Sequence, residues 1–357
     1  MITDIRLAGQ QLAAPRFDTP KKLISWMGAI QAQDYAMARW AVGIRLKSAT
    51  ARSVGEAFSR GEILRTHVMR PTWHLVAAED IRWMLKLSAR RIRSANESLA
   101  KGRQLELTEQ LHYRCDRLLE KMLGGNRNLT KQQIGEELNR QGIAADTPRL
   151  TRLLMRAETE AVVCSGPFSG GKQTYALLEE RVPPVPELHP DEALAKLATA
   201  YFRSHSPASL QDFVWWSGLS VTEARHSVGL IGRSLTAERF GQRELFVHES
   251  CRAAETSGVP LYLLPAYDEY LIGYKDRTDV LRPEHRARAF TNYGIFYPVI
   301  LRRPDRRKLE TPGTAGRLLR RNFVFRNGYR RRPGHPGGGR KPIPGILPRR
   351  LIFLPRK

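Results

Sequence analysis

Apolar residues Leu23, Ile24, Met27 and Ile30 recur at helical spacing behind Thr19-Pro20, a helix start with proline at the first helical position. Residues 1–18 before it read as a short leader, and Arg39–Leu46 after it alternates like an extended segment. Residues 51–60 form a short helix stopped by Gly61, and Ile63–Val76 is β-rich with a turn at Pro71-Thr72. Helix, connector, helix and two-stranded ribbon is the order of a winged helix.

The order returns twice. Helices are expected over Glu79–Lys101, Leu107–Leu123, Lys131–Gln141 and Arg149–Thr159, the third capped by Asn128-Leu129-Thr130 and the fourth started by Asp146-Thr147-Pro148. Strands Ala161–Ser165 and Gln173–Leu178 follow, joined by the loop GPFSGGK. After the proline-rich linker 183–190 come helix Asp191–Ser204, a helix capped by Ser209, a Gly218 turn and a helix capped by Ser220. Arg243–Val247 and Leu261–Leu264 are read as the strands of that third wing. The expected fold is α+β and mainly helical, with three tandem winged-helix units over 1–78, 79–182 and 183–264. A small β-rich closing region covers 265–301, and a basic Pro/Gly/Arg-rich tail covers 302–357.

Charge sharpens this picture. The chain of 357 residues carries a formal +24, but residues 302–357 hold 18 Lys/Arg against 2 Asp/Glu, leaving 41 against 33 for the body. A moderately basic body favours a polyanion, nucleic acid first. No apolar run is long enough for a membrane span, and the N-terminus has no signal-peptide pattern. Cys115, Cys164 and Cys251 are widely spaced outside any C-x-x-C, which fits a reducing cytoplasm and neither a disulfide framework nor a zinc site. A cytoplasmic, nucleoid-associated monomer without cofactor is expected.

The chemistry concentrates around Gln31 and Gln33, two amides set among Trp26, Met27, Ile30, Tyr35, Met37 and Trp40. Such an amide either finds an internal partner or faces a ligand, because an unsatisfied one costs roughly 1–3 kcal/mol. Arg65, His67, Arg70, Trp73 and His74 on the first ribbon, Arg149 and Arg152 on the fourth helix of the second unit, and Lys172 at its wing are candidate cleft or DNA contacts. Asp268 is either a turn-capping carboxylate or a substrate-facing one. Gly166–Lys172 spells G-x-x-x-x-G-K, but Gln173 replaces the Ser/Thr and a strand follows, so it reads as a wing tip. His67 and His74 lack an evident third ligand, so no metal site is expected.

Four segments in order carry a resemblance: Gln31-Ala32-Gln33, RTHVMRPTWHLVAAED (Arg65–Asp80), DFVWWSGL (Asp212–Leu219) and LLPAYDEYLIGYKDR (Leu263–Arg277). Together they resemble the AlkZ-like DNA glycosylases, over roughly residues 5–300. The resemblance implies three tandem winged helices around a C-shaped cleft for double-stranded DNA with alkylated bases. It also implies removal of N7-alkylated purines, in some members unhooking of interstrand crosslinks, and a catalytic glutamine pair at Gln31 and Gln33. Another branch carries Q-x-D; this chain has Q-x-Q. A winged-helix DNA-binding protein without catalysis, such as a transcriptional regulator, is the alternative.

The resemblance stops near Leu301. The tail beyond reads either as a basic arm adding non-specific DNA affinity or, the preferred account, as a frameshift. Lys308–Thr311, if encoded AAA-CTG-GAA-ACG, gives Asn-Trp-Lys-Arg in the next frame, where relatives carry a Trp-Lys-Arg-like run.

Overall fold

A computed structural model describes residues 2–251 and 261–302. The described residues mix helix and strand and are about half helical. The tail readings for 302–357 lie outside the described residues, apart from Arg302, which ends a strand.

Within Pro20–Ala77 the order is helix Pro20–Met27, strand Ile30–Gln31, helices Tyr35–Gly43 and Ala51–Ser59, then strands Ile63–His67 and Trp73–Ala77. The last strand lies in the middle of the sheet, with Ile30 and Gln31 facing Leu75 and His74 on one side and Ile63–His67 on the other. The same order and sheet arrangement recur from Glu109 to Leu177, where Leu129–Thr130 pairs with Lys172–Leu177 and that strand pairs with Val163–Ser169. From Pro190 to His248 they recur in reduced form. A single bridge, Ala208 to Phe246, stands where the short strand would be, and Leu235–Phe240 pairs with Arg243–His248.

Local chemistry sets these elements. Thr19 accepts a hydrogen bond from the Lys22 N–H and Pro20 opens the helix. Gly28 (φ +79°) ends it one residue past Met27; a Cβ there would lie 2.9 Å from the Ala200 Cβ, so only glycine fits against helix Pro190–His205. The helix therefore does not reach Ile30, which instead enters the sheet.

Several expectations need correction. Arg39–Leu46 is not extended: helix Tyr35–Gly43 begins where the Asp34 carboxylate caps the Ala36 and Met37 N–H groups, and Ala38, Ala41 and Val42 give it a helical buried face. Residues 1–18 are not a mere leader, since helix Ile2–Gly9 is packed through Leu7 into a core with Tyr262, Tyr270 and Val299. The strand Val163–Ser169 runs through most of GPFSGGK, leaving Gly170-Gly171 as the turn. Leu261–Leu264 is not the partner of Arg243–His248. It pairs with Val299–Arg302, while the true partner, Leu235–Phe240, is mostly exposed and shows no apolar alternation to betray it.

Separate cores underlie the repeats. Leu23, Ile24, Val42, Phe58 and Leu75 pack together in the first, and Leu119, Ile134, Leu138, Leu153 and Tyr175 in the second. The largest cluster joins Val68, Met69, Trp83, Tyr201, Phe213 and Trp216, so the first ribbon is welded to the third repeat. No helix among the described residues is long and apolar enough to cross a membrane.

Candidate active site

The two glutamines occupy different environments. Gln31 is 5% exposed and sits in the strand pairing with His74. Its N–H donates to Glu269 Oε1 at 2.6 Å, and its side-chain oxygen accepts from Arg70 Nη2 at 2.9 Å. Because a guanidinium only donates, the amide oxygen is fixed toward Arg70 and its NH2 points away. Gln33 follows the strand and is exposed; its side-chain amide has no hydrogen-bond partner among the described residues. One amide is thus built into the wall and the other is presented from it.

Glu269 is completely buried beneath Gln31. Besides the Gln31 N–H it accepts from Trp216 Nε1 at 3.1 Å, and His205 Nε2 lies 3.6 Å from Oε2. Burial alone raises a carboxyl pKa; the His205 ring and the Gln31 N–H reverse the sign and hold Glu269 below its usual range. Arg70 is partly buried, which pushes its pKa down, and the Glu269 charge partly restores it. It also lies 5.8 Å from the centroid of the Trp215 ring. Glu269 was hidden at the level of sequence by its neighbour Asp268, and the signal available was its place inside the YDEY segment.

Asp268 resolves to the structural alternative. It is buried, takes two hydrogen bonds from Arg45 at 2.8 and 2.7 Å, and caps the Tyr270 N–H. Arg45 in turn reaches Gln10 and the Ala41 carbonyl, so the pair clamps the first repeat to the closing region.

The ribbon residues gather around the glutamines. His67 Nδ1 is 2.6 Å from Glu158 Oε2 on helix Thr147–Thr159, and its ring lies 3.9 Å from that of Trp73. His74 is fully buried with Nδ1 2.9 Å from the Thr72 carbonyl, an arrangement in which Nδ1 donates. Burial, with Arg70 adding repulsion, drives its pKa down to about 3, so the ring is neutral at physiological pH. The Arg65 guanidinium lies 4.4 Å from the Trp73 ring centroid and donates to the Ala32 carbonyl at 2.9 Å and the Gln33 carbonyl at 3.3 Å.

The remaining candidates belong to the second repeat. Arg149 donates to the Glu106 carbonyl at 3.0 Å and faces Asp146. Arg152 contacts Met155 Sδ at 3.7 Å; its pKa is pushed down by burial and then by the Arg103 charge, and Lys131 is lowered by burial and then by Arg152. These form a basic patch on the second repeat, and Lys172 stands exposed beside the Gly170-Gly171 turn. No group of three metal-ligating side chains occurs among the described residues.

The family model for "DNA glycosylase AlkZ-like" proteins matches residues 24–303. An interstrand DNA cross-link repair glycosylase of Streptomyces sahachiroi is 26% identical over 318 residues, 82% of each chain. The solved structure of Streptomyces sahachiroi DNA glycosylase AlkZ shares the fold with a TM-score of 0.65, at 24% identity and over 84% of each chain.

Proposed function

This chain belongs to the AlkZ-like DNA glycosylase family, and from that premise we propose that it hydrolyses the N-glycosidic bond of N7-alkylated purines in duplex DNA. The carrying observation is the contrast between the paired amides: Gln31 is held by Arg70 and Glu269, while the Gln33 side chain is exposed and unengaged among the described residues.

The chemistry asks for no more. An N7-alkylated purine is already cationic and leaves without a general acid. The site must steady an oxocarbenium-like sugar and hold a water on its open face. The free Gln33 carbonyl is suited to hold that water. The Gln31 carbonyl is already engaged by Arg70, which leaves its NH2 to donate to an oxygen of the sugar or the base. Attack by water rather than an amine makes the enzyme monofunctional and leaves an abasic sugar.

The threefold recurrence of one element order supports reading three winged-helix units over 1–78, 79–182 and 183–264, with 265–301 closing the body. Lys131, Arg152, Arg149 and Lys172 would then meet phosphates on the second unit. A relative named for interstrand cross-link repair supports bulky lesions as further substrates, since a crosslinked base cannot be fully flipped.

The test is base release from a duplex carrying N7-methylguanine. Wild type should excise, and Gln33→Ala should lose at least about tenfold in single-turnover rate with DNA affinity retained. A folded wild type that binds the duplex and releases nothing overturns the catalytic reading and leaves a DNA binder.

A further inference from the structure

Among the described residues no hydrogen bond holds the exposed Gln33 side chain, so its place is set by the backbone of residues 32–34. That backbone is tied on both sides. The Ala32 N–H donates to the Trp73 carbonyl at 2.7 Å, and Asp34 caps helix Tyr35–Gly43. The carbonyls of Ala32 and Gln33 both receive N–H groups of one guanidinium, that of Arg65.

Arg65 is itself fixed from outside the first repeat. Its Nη1 donates to Gln173 Oε1, and its backbone N–H donates to Ser165 Oγ at 2.9 Å. Gln173 and Ser165 belong to the two strands of the second repeat's hairpin. That hairpin is anchored in turn by Phe168, whose ring lies 4.6 Å from Tyr35 and 5.3 Å from Phe58. Three donors of the fork therefore have three fixed acceptors, and the guanidinium carbon lies over the Trp73 ring, 4.4 Å from its centroid. A lysine, a point charge on a flexible stem, cannot reproduce this.

We propose that Arg65 and Gln173 are a positioning pair for Gln33, so that the active site is assembled across the first and second repeats. The proposal rests on the reading that Gln33 is the water-holding amide. A mechanical consequence follows: Lys172 adjoins Gln173, so a phosphate contact at the hairpin turn and the position of Gln33 share one strand. A displacement of about 1 Å at a reacting group can cost on the order of a hundredfold in rate, so a loosened tether should act on the chemical step rather than on binding.

The experiment compares Gln173→Ala, Gln173→Glu and Arg65→Lys. Gln173→Ala removes the acceptor and Gln173→Glu retains one. Single-turnover release of N7-methylguanine should fall roughly tenfold in Gln173→Ala and in Arg65→Lys, with DNA affinity within about twofold of wild type. Gln173→Glu should recover most of the rate. Hydrogen–deuterium exchange across residues 32–37 should quicken in Gln173→Ala but not in Gln173→Glu, at an unchanged melting temperature. Wild-type rate and exchange in Gln173→Ala, or equal losses in the Ala and Glu variants, would overturn the proposal. Should wild type release no base, the reading of Gln33 as the water-holding amide fails, and the exchange measurement alone still decides whether the pair tethers the turn.

Discussion

The first and third repeats share an element order and use it oppositely. In the first, strands Ile63–His67 and Trp73–Ala77 are buried along almost their whole length, flanked on one edge by Ile30–Gln31, whose Gln31 N–H is held by Glu269; Glu158 meets His67, and Trp216 shares a core cluster with Leu64 and Val76. In the third, Leu235–Phe240 is an exposed edge carrying Thr236, Glu238 and Arg239 into solvent. A ribbon in which both faces are covered can fix side chains to within fractions of an ångström, because interiors are close-packed. A ribbon with one face in water is free to meet a large partner. Gln31 pairs with the covered one.

The largest effect is expected in the first repeat. Leu75→Ala, at a site with no exposure, should cost about 2–5 kcal/mol by urea unfolding, the range for deleting a well-packed leucine. A loss below about 1 kcal/mol would mean that the ribbon is no more a scaffold than its counterpart.

Acid should act next, and on the same repeat. His74 is neutral when folded, with its pKa lowered to about 3, against about 6.5 in an unfolded chain. Between those values the unfolded chain binds the extra proton, so stability rises with pH and is lost as pH falls below about 6. The loss should approach about 1.4 kcal/mol per pH unit from this group. Glu269, with its depressed pKa, adds to the loss in the same direction at the acid end. Denaturant midpoints followed from pH 7 to pH 4 should show a shallower fall in His74→Gln; identical slopes would remove His74 as the cause.

The smallest stability effect belongs to the third repeat. Arg239→Ala on the exposed strand should leave stability within about 0.5 kcal/mol, as surface substitutions usually do. If that ribbon meets DNA, the same change should lower the slope of log affinity against log salt by about 1. An unchanged slope would make the third ribbon a bystander, and the contrast would then be one of burial only.

Much of the fold was legible because its signals are local. Thr19-Pro20, Thr130, Asp146 and Ser220 cap the helices they were expected to cap, since a side-chain oxygen and a nearby N–H need no tertiary context. The Q-x-Q segment drew attention for the same reason, as polar amides in an apolar stretch demand an explanation. Leu235–Phe240 was not legible, because a strand exposed on its outer edge carries no alternation. Nor was Arg39–Leu46, where a window starting at Arg39 misses the Asp34 cap that starts the helix.

The sequence by itself determined the family, the repeated order of elements and the two glutamines as the place to look. Those rest on local spacing and on motifs, which a linear chain displays. Only the tertiary structure decided what each polar group does. Asp268 and Glu269 are neighbours of like charge, yet one closes a buried pair with Arg45 and the other holds the Gln31 N–H. Gln31 and Gln33 are alike in sequence, yet Arg70 occupies one and none of the described groups occupies the other. The strand places Gln31 against the wall, and the chain leaves the sheet before Gln33. Arg65 and Glu269 reach the pair, and Gln173 reaches Arg65, from three distant stretches, and such partners are chosen by packing, which no local window contains.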